Sequence, residues 1–449
     1  MTVIKNIKIF YQRLFLQNDE AKYSLAFFRI AFGLLMFGST LRFVLKGWIE
    51  EFYINPSFHF PFYGFEFIQP FSGQGMYIVF SILLLSTVLI TLGLFYRISI
   101  ITYFLLFTYV ELIDKTYYLN HYYFVTLISF LLIFLPMNQS ASLDKKLKLV
   151  RPKPIYNFYL FVIMLQVGLV YFLAGVAKLK YDWLFEAQPL KIWLSSFSSL
   201  PMVGFLLEKN WVAYLGSWFG AFFDLLIPFV LLHKKWRFYG YVLVIIFHTL
   251  TYFLFYIGMF PFIMMVSALI FFETSTHKKI LNLLGIITNT STQSTAQKTN
   301  GVVYLMPLMA VFFLFQILMP FRYLLYGGNI FYHEQGYRFS WNVMLMEKTG
   351  YCDFSIHNVT KNTSYEVSPY SLLTKQQARM MSTQPDMILQ FAKHLHDVEK
   401  DNGNQVEVFA NCNVSINGKE NEVLINPKIN LAEQEDGFRN KSWILSNYK

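Results

Sequence analysis

Along the first 320 positions apolar residues keep neither the period of a strand nor that of one helix face; they run almost free of charge for 17 or more residues at a time. A helix rises 1.5 Å per residue and the hydrocarbon layer is about 30 Å thick, so runs of this length read as membrane-crossing helices. Nine are predicted, at 24 to 45, 76 to 95, 98 to 113, 119 to 135, 158 to 177, 211 to 232, 238 to 254, 256 to 272 and 302 to 320. Between the seventh and eighth lie Tyr256, Gly258 and Met259, where a break within one longer segment is the other reading.

Beyond Arg322 the pattern changes to that of a soluble fold. Gln405 to Val408 alternate as a half-buried strand does, and Asn417-Gly418 is a hairpin signal between two further alternating runs. Pro385 and Asp386 open a helix running to about Lys400. The predicted architecture is an all-α polytopic membrane domain, residues 1–325, followed by a small extracytoplasmic α+β or β-rich domain, residues 326–449. His394 and His396 are two apart on a helix and diverge, so no metal site is expected.

Composition agrees with lipid as the solvent: 55% of residues are hydrophobic and only 14% charged. The net charge of +10 then reads as topogenic, and nucleic acid is not an expected partner. With nine spans and the N-terminus cytoplasmic, Lys145, Lys146, Lys148, Arg151 and Lys153, then Lys234, Lys235 and Arg237, then Lys278 and Lys279 all fall in cytoplasmic loops. Residues 1 to 20 lack an apolar core and a small-residue cleavage site, so the first span is expected to act as an uncleaved anchor. The stretch from 286 to 300, rich in Thr, Ser, Asn and Gln, reads as a flexible linker, and the aromatic loop from Lys46 to Gly75 as an interfacial segment. Both cysteines, Cys352 and Cys412, fall in the domain placed outside, where a disulfide and two free thiols are equally open.

Ionisable residues at bilayer depth cost about 2.5 to 3.5 kcal/mol each, so each needs a reason. Arg29, His121, Lys178, Asp224 and His248 stand out. Under the nine-span topology His121, Lys178 and His248 reach the same leaflet, near Asp114, Lys115 and the tyrosines 117, 118, 122, 171 and 252, which predicts a basic, aromatic, partly dry pocket. Tyr171 lies seven residues before Lys178 and faces the same way, Gly175 leaves room beside it, and His248 and Tyr252 share a face. The bland readings are that Lys178 snorkels and pairs with Asp182 at i+4, that His121 is interfacial, that His248 and Asp224 fix helix packing, and that Arg29 snorkels or pairs with Asp224.

Several ordered segments resemble the vitamin K-dependent gamma-carboxylases and their bacterial relatives with a horizontally transferred transmembrane domain. They are Phe28-Arg29 with Phe32 to Met36, Leu92 to Arg97, Asp114-Lys115-Thr116 with Asn120-His121, Val170 to Leu179 with Asp182-Trp183, Phe247-His248 with Ile257 to Phe260, and Gly336-Tyr337 with Ser340-Trp341. The resemblance spans about residues 24 to 350. It implies a membrane enzyme of the carbon-carbon lyase class that uses reduced vitamin K or menaquinol, O2 and CO2, with no metal, to convert glutamate in a peptide or protein to gamma-carboxyglutamate. Lys178 takes the place of the family's base and His121 that of its active-site histidine, and the expected quinol-site residues are Tyr171, His248, Tyr252 and Asn120. Trp341 and Phe339 fall in the glutamate-binding segment.

The family chemistry explains such a pocket. A carbon-bound glutamyl proton is too weakly acidic for any side chain, so a stronger base is made in place: an amine deprotonates the hydroquinone, oxygen adds, a basic alkoxide removes the proton, and the quinone leaves as its epoxide. The amine must start neutral, which desolvation favours and a paired Asp182 would oppose. The soluble domain is shorter than in the animal enzymes, and Phe339 stands where they have a tyrosine, so epoxidation without carboxylation is an alternative. A quinone- or lipid-binding protein without turnover is another, and a solute transporter a third. A bacterial inner membrane is the expected location.

Overall fold

The computed structural model describes residues 12–255, 257–287 and 301–445, so the N-terminal segment, Tyr256 and nearly all of the Thr-, Ser- and Asn-rich stretch lie outside the described residues. Each predicted apolar run is helical: α1 (Lys22–Leu45), α2 (Gln74–Leu92), α3 (Tyr96–Ile113), α4 (Asn120–Phe134), α5 (Asn157–Ala177), α6 (Asn210–Leu232), α7 (Arg237–Phe255), α8 (Phe260–Ala268) and, after α9 (Thr274–Leu283), α10 (Gly301–Leu318). Among the described residues seven of them are long and apolar enough to cross a membrane, namely α1, α2, α3, α5, α6, α7 and α10 with the turn that extends it.

The other two differ for local reasons. α4 has 15 residues because Leu135, extended ahead of Pro136, ends it. α8 continues through a 3-10 turn and then bends by 113° into α9, so the two form one broken span or a re-entrant pair. A hydropathy run counts apolar residues and does not see where a helix stops.

α5 packs along α6, α1 along α2, and α8 touches both α1 and α5. Gly175 lets the seam between α5 and α6 close: a Cβ there would lie 2.6 Å from the Leu225 amide nitrogen and 3.0 Å from the Asp224 carbonyl carbon. Arg29 is fully buried in α1 and neither snorkels nor reaches Asp224. Its Nη1 donates to the Ile90 and Thr91 carbonyls at 2.9 Å and its Nη2 to the Ala141 carbonyl, so it caps the end of α2. Orphan carbonyls at a helix end attract a cation, which offsets the buried charge without a direct ion pair. Gly93, at φ +63°, leaves the space that guanidinium fills.

The C-terminal domain is a four-stranded antiparallel sheet in the order β2-β1-β3-β4, formed by β1 (Lys348–Asn358), β2 (Thr363–Val367), β3 (Val406–Ile416) and β4 (Glu422–Val423). Between β2 and β3 lie α11 (Lys375–Met381) and α12 (Pro385–Asp401), and α12 packs on β3. Met387, Ile388, Phe391, Ala392 and Leu395 form its buried stripe. The predicted strand, the Asn417-Gly418 turn and the helix from Pro385 are present. Cys352 and Cys412 face each other across β1 and β3 and are joined as a disulfide. His394 packs against Phe58 and Phe391 with tilted rings.

The two parts are clamped together by polar groups. Asp386 accepts from Lys115 Nζ at 2.7 Å and from Arg338 Nη1 at 2.8 Å, while Gln377 Nε2 donates to the Phe58 carbonyl and to Asp114. Asp114 and Lys115 therefore serve this junction. Burial pushes the Asp386 carboxyl up, but Arg338 and Lys115 outweigh it and hold it well below the ordinary carboxylate range. A depressed carboxyl contributes stability above the unfolded value, about pH 4, and loses it as pH falls towards the folded one. Asp386→Asn is expected to cost about 2 kcal/mol at pH 7 by stripping the buried lysine of its counter-charge, and to flatten the loss of stability below pH 4. Thermal melts of detergent-purified protein at both pH values check this; a variant that melts like wild type at pH 7 contradicts it.

Candidate functional site

A cavity of about 410 Å³ lies between the ends of α5, α6 and α7, closed by α8 and the segment Val343-Met344. Its walls are almost wholly apolar, including Leu194, Phe219, Leu254, Ile257 and Phe260. Four ionisable side chains interrupt them at one end: Tyr171 and Lys178 from the α5 side, Asp224 from α6 and His248 from α7. Leu215, Phe219 and Leu250 line the cavity yet are exposed on the outside of the molecule, so it opens sideways between α6 and α7.

Lys178 sits at the C-terminal cap of α5. Its Nζ donates to Asp224 Oδ2 at 2.7 Å and lies 3.4 Å from the Ala174 carbonyl; both charged side chains are more than nine-tenths buried. The indole of Trp183 lies 5.5 Å from Nζ, fixed by its own bond to the Ser217 carbonyl. The i+4 partner expected for Lys178 is elsewhere: Asp182 accepts from Asn417 and Lys419 of the C-terminal domain. Asp224 replaces it because Gly175 brings the α6 backbone against α5 one turn before the lysine. Asp224 stood out in the sequence as a charge in mid-span; what no linear spacing carries is that the seam delivers it to Lys178.

Tyr171 and His248 share a 2.8 Å hydrogen bond through Nε2, and His248 Nδ1 is buried without a hydrogen-bond partner among the described residues. His121 is buried but does not line the cavity. Phe260 separates it, its ring 5.9 Å from that of His121 and 6.0 Å from that of His248. The expected three-residue pocket thus holds Lys178 and His248, with His121 one aromatic layer behind, because α8 inserts between α4 and α7.

The remaining candidates lie apart. Tyr252 is 40% exposed and packs against Phe262, whereas His248 four residues earlier is buried, so the two do not present one surface to the cavity. Asn120 opens α4 and accepts from the Tyr118 hydroxyl. Trp341 is buried against Tyr123, and Phe339 packs between Phe62, Tyr118 and Tyr123. They do not line the cavity, although Val343 and Met344 just after them do. Phe339, Trp341 and Met344 all have positive φ (61°, 57° and 56°), conformations that cost about 1 kcal/mol or more each and persist only where packing enforces them.

Lys180 was not singled out in the sequence, being flanked by ordinary loop residues. Burial pushes its ammonium down to about 8, and Nζ lies over the rings of Phe331 at 4.5 Å and Tyr323 at 5.4 Å. Among the described residues no group of three or more His, Cys, Asp or Glu side chains is arranged to hold a metal ion.

Compared with known families, residues 17–275 match the HTTM domain and residues 302–449 match the lumenal domain of vitamin K-dependent gamma-carboxylase. No solved structure matches the chain. The two matches run in sequence order, the first containing the cavity-bearing helices and the second the sheet domain, and the segment Val170 to Leu179 that supplies Lys178 lies within the first. The chain therefore belongs to the vitamin K-dependent gamma-carboxylase family.

Proposed function

We propose that the protein is an integral membrane vitamin K-dependent gamma-glutamyl carboxylase, a carbon-carbon lyase, whose catalytic base is Lys178 in the wall of the lateral cavity. The observation that carries this reading is the buried Lys178–Asp224 pair at the polar end of an otherwise apolar cavity. A bicyclic quinol needs flat apolar walls and a few polar groups, and a volume of about 410 Å³ with the unpartnered His248 Nδ1 fits that need. Reduced vitamin K or menaquinol, when bound, supplies with O2 the strong base that removes the glutamyl proton before CO2 adds, and leaves as the epoxide.

The chain's own part is to bind, orient and manage one proton. With the Tyr171 hydroxyl donating to His248 Nε2, the imidazole proton sits on Nδ1 and is free to hold a quinol oxygen. Asp224 Oδ2, 2.7 Å from Nζ, would take up the lysine's proton so that Nζ can receive one from the quinol hydroxyl. The apolar lining keeps water from reprotonating reactive carbon and oxygen centres. His121, behind Phe260, reaches the quinol only when that ring turns aside. Trp341 and Phe339 act on the glutamate side by holding Val343 and Met344 against the cavity. Asn120 and Tyr252 keep no direct part.

The same proposal includes a catalytic membrane domain, residues 1–325, with a cytoplasmic N-terminus in a bacterial inner membrane, and an extracytoplasmic domain, residues 326–449. The Cys352–Cys412 disulfide supports that side for the sheet domain. A second reading, a quinone- or lipid-binding relative without turnover, draws on the same ion pair, because Nζ is already committed to Asp224 Oδ2 at 2.7 Å. A transporter loses its one mid-span charge, since Asp224 is committed to Lys178.

Purified protein given vitamin K hydroquinone, labelled bicarbonate and a short glutamate peptide is expected to yield epoxide and fixed label together. Epoxide without label would reduce the function to epoxidation. Neither product, in a preparation that binds the quinone, would leave the binding reading.

A further inference from the structure

A second cavity, of about 230 Å³, lies well away from Lys178, where the start of α3 meets the connection between α4 and α5. Its polar lining is Tyr96, Arg97, Asn138, Gln139, Asp144 and Lys153. Most of these groups are already committed. Asp144 accepts from the Phe95 and Tyr96 amides and from Asn138 Nδ2, which satisfies the first turn of α3 and occupies both carboxylate oxygens. Gln139 Oε1 accepts from the Lys153 amide and its Nε2 donates to the Arg151 carbonyl. Tyr96 donates its hydroxyl to the Leu132 carbonyl.

What is left uncommitted is cationic. The Arg97 guanidinium is half-buried, the Lys153 ammonium exposed, and among the described residues neither makes an ion pair. A half-buried guanidinium in a roomy pocket without an acidic partner is poised for an anion, and its planar fork matches a phosphate. Lys145, Lys146, Lys148 and Arg151 in the same connection add to the positive field.

The surroundings narrow the class of anion. Phe95, Ile98 and Leu149 line the pocket and are 54%, 67% and 55% exposed, so its rim is apolar on the side where the spans begin. A phosphate with two acyl chains satisfies both the cationic floor and the apolar rim; a free phosphate satisfies only the first. We propose that this pocket binds the headgroup of an acidic glycerophospholipid, with Arg97 and Lys153 holding the phosphate and the acyl chains lying over Phe95 and Ile98. Basic pockets between membrane helices take anionic headgroups by this combination of charge and depth.

The full chain in nonionic detergent, titrated with phosphatidylglycerol carrying a fluorescent acyl chain, tests it. Wild type is expected to bind this probe at least tenfold more tightly than the matching phosphatidylcholine. Arg97→Gln should lose about tenfold, the worth of one charge-assisted contact, and Lys153→Gln about threefold. Lys153 is exposed, so its variant reports even where Arg97→Gln does not fold. Equal affinity for the two lipids in wild type, or wild-type affinity in Lys153→Gln, overturns the proposal. Displacement of the probe by inorganic phosphate, beyond that by chloride at matched ionic strength, would assign the pocket to a free anion and overturn the lipid.

Discussion

Lys178→Ala is expected to remove epoxide formation and carbon dioxide fixation together, lowering both rates by about 10²- to 10⁴-fold, the usual worth of a positioned general base. Both products fall because the amine acts before they diverge: without a proton acceptor at the polar end of the cavity, the quinol is not activated and no base is made for glutamate. Quinone binding should change far less, since the apolar walls and the Tyr171–His248 pair supply most of the contact. Measuring epoxide, fixed label and quinone affinity on one preparation separates these effects. Retention of more than a tenth of the wild-type epoxide rate would rule out Lys178 as the base.

Asp224 should behave differently according to what stands opposite it. Asp224→Leu alone leaves a buried lysine without its counter-charge and is expected to destabilise the fold by about 3–5 kcal/mol. In the double variant Lys178→Met, Asp224→Leu no charge is buried, and apolar groups of similar volume commonly restore or exceed the original stability. The double variant is therefore expected to melt near wild type while making no epoxide. That outcome would show that the ion pair is kept for chemistry and not for the seam between α5 and α6. If the double variant is as unstable as the single one, the pair is structural and the proton-sharing role fails.

Much of this was legible in the chain because lipid imposes a simple rule. Every backbone polar group must be satisfied within the spanning element, so long apolar runs become helices whatever their neighbours do. The helix from Pro385 and the Asn417-Gly418 turn were equally plain, since proline and the left-handed turn residues act locally. The disulfide is open on sequence alone, because two cysteines in one domain say nothing about register until β1 and β3 pair.

The illegible parts are those set by contact between elements far apart in sequence. Lys178 and Asp224 are 46 residues apart, and four residues separate Lys178 from the aspartate that spacing alone favours. Arg29 found backbone carbonyls, which no side-chain pattern records. The sequence reading puts His121, Lys178 and His248 near one another in depth, but depth is one coordinate of three, and a single phenylalanine ring takes the space between His121 and His248.

The sideways mouth between α6 and α7, where Leu215 and Leu250 are at once wall and outer surface, would fix the currency in which the proposed quinol is metered. A ligand arriving through that mouth comes from the bilayer by two-dimensional diffusion, so occupancy follows its mole fraction among the lipids. Adding detergent or vesicles at constant total quinol then dilutes the ligand without changing its amount per volume, and turnover should fall as the amphiphile rises. An affinity expressed in moles per litre of solution would describe the preparation; one expressed as quinol per lipid would describe the protein.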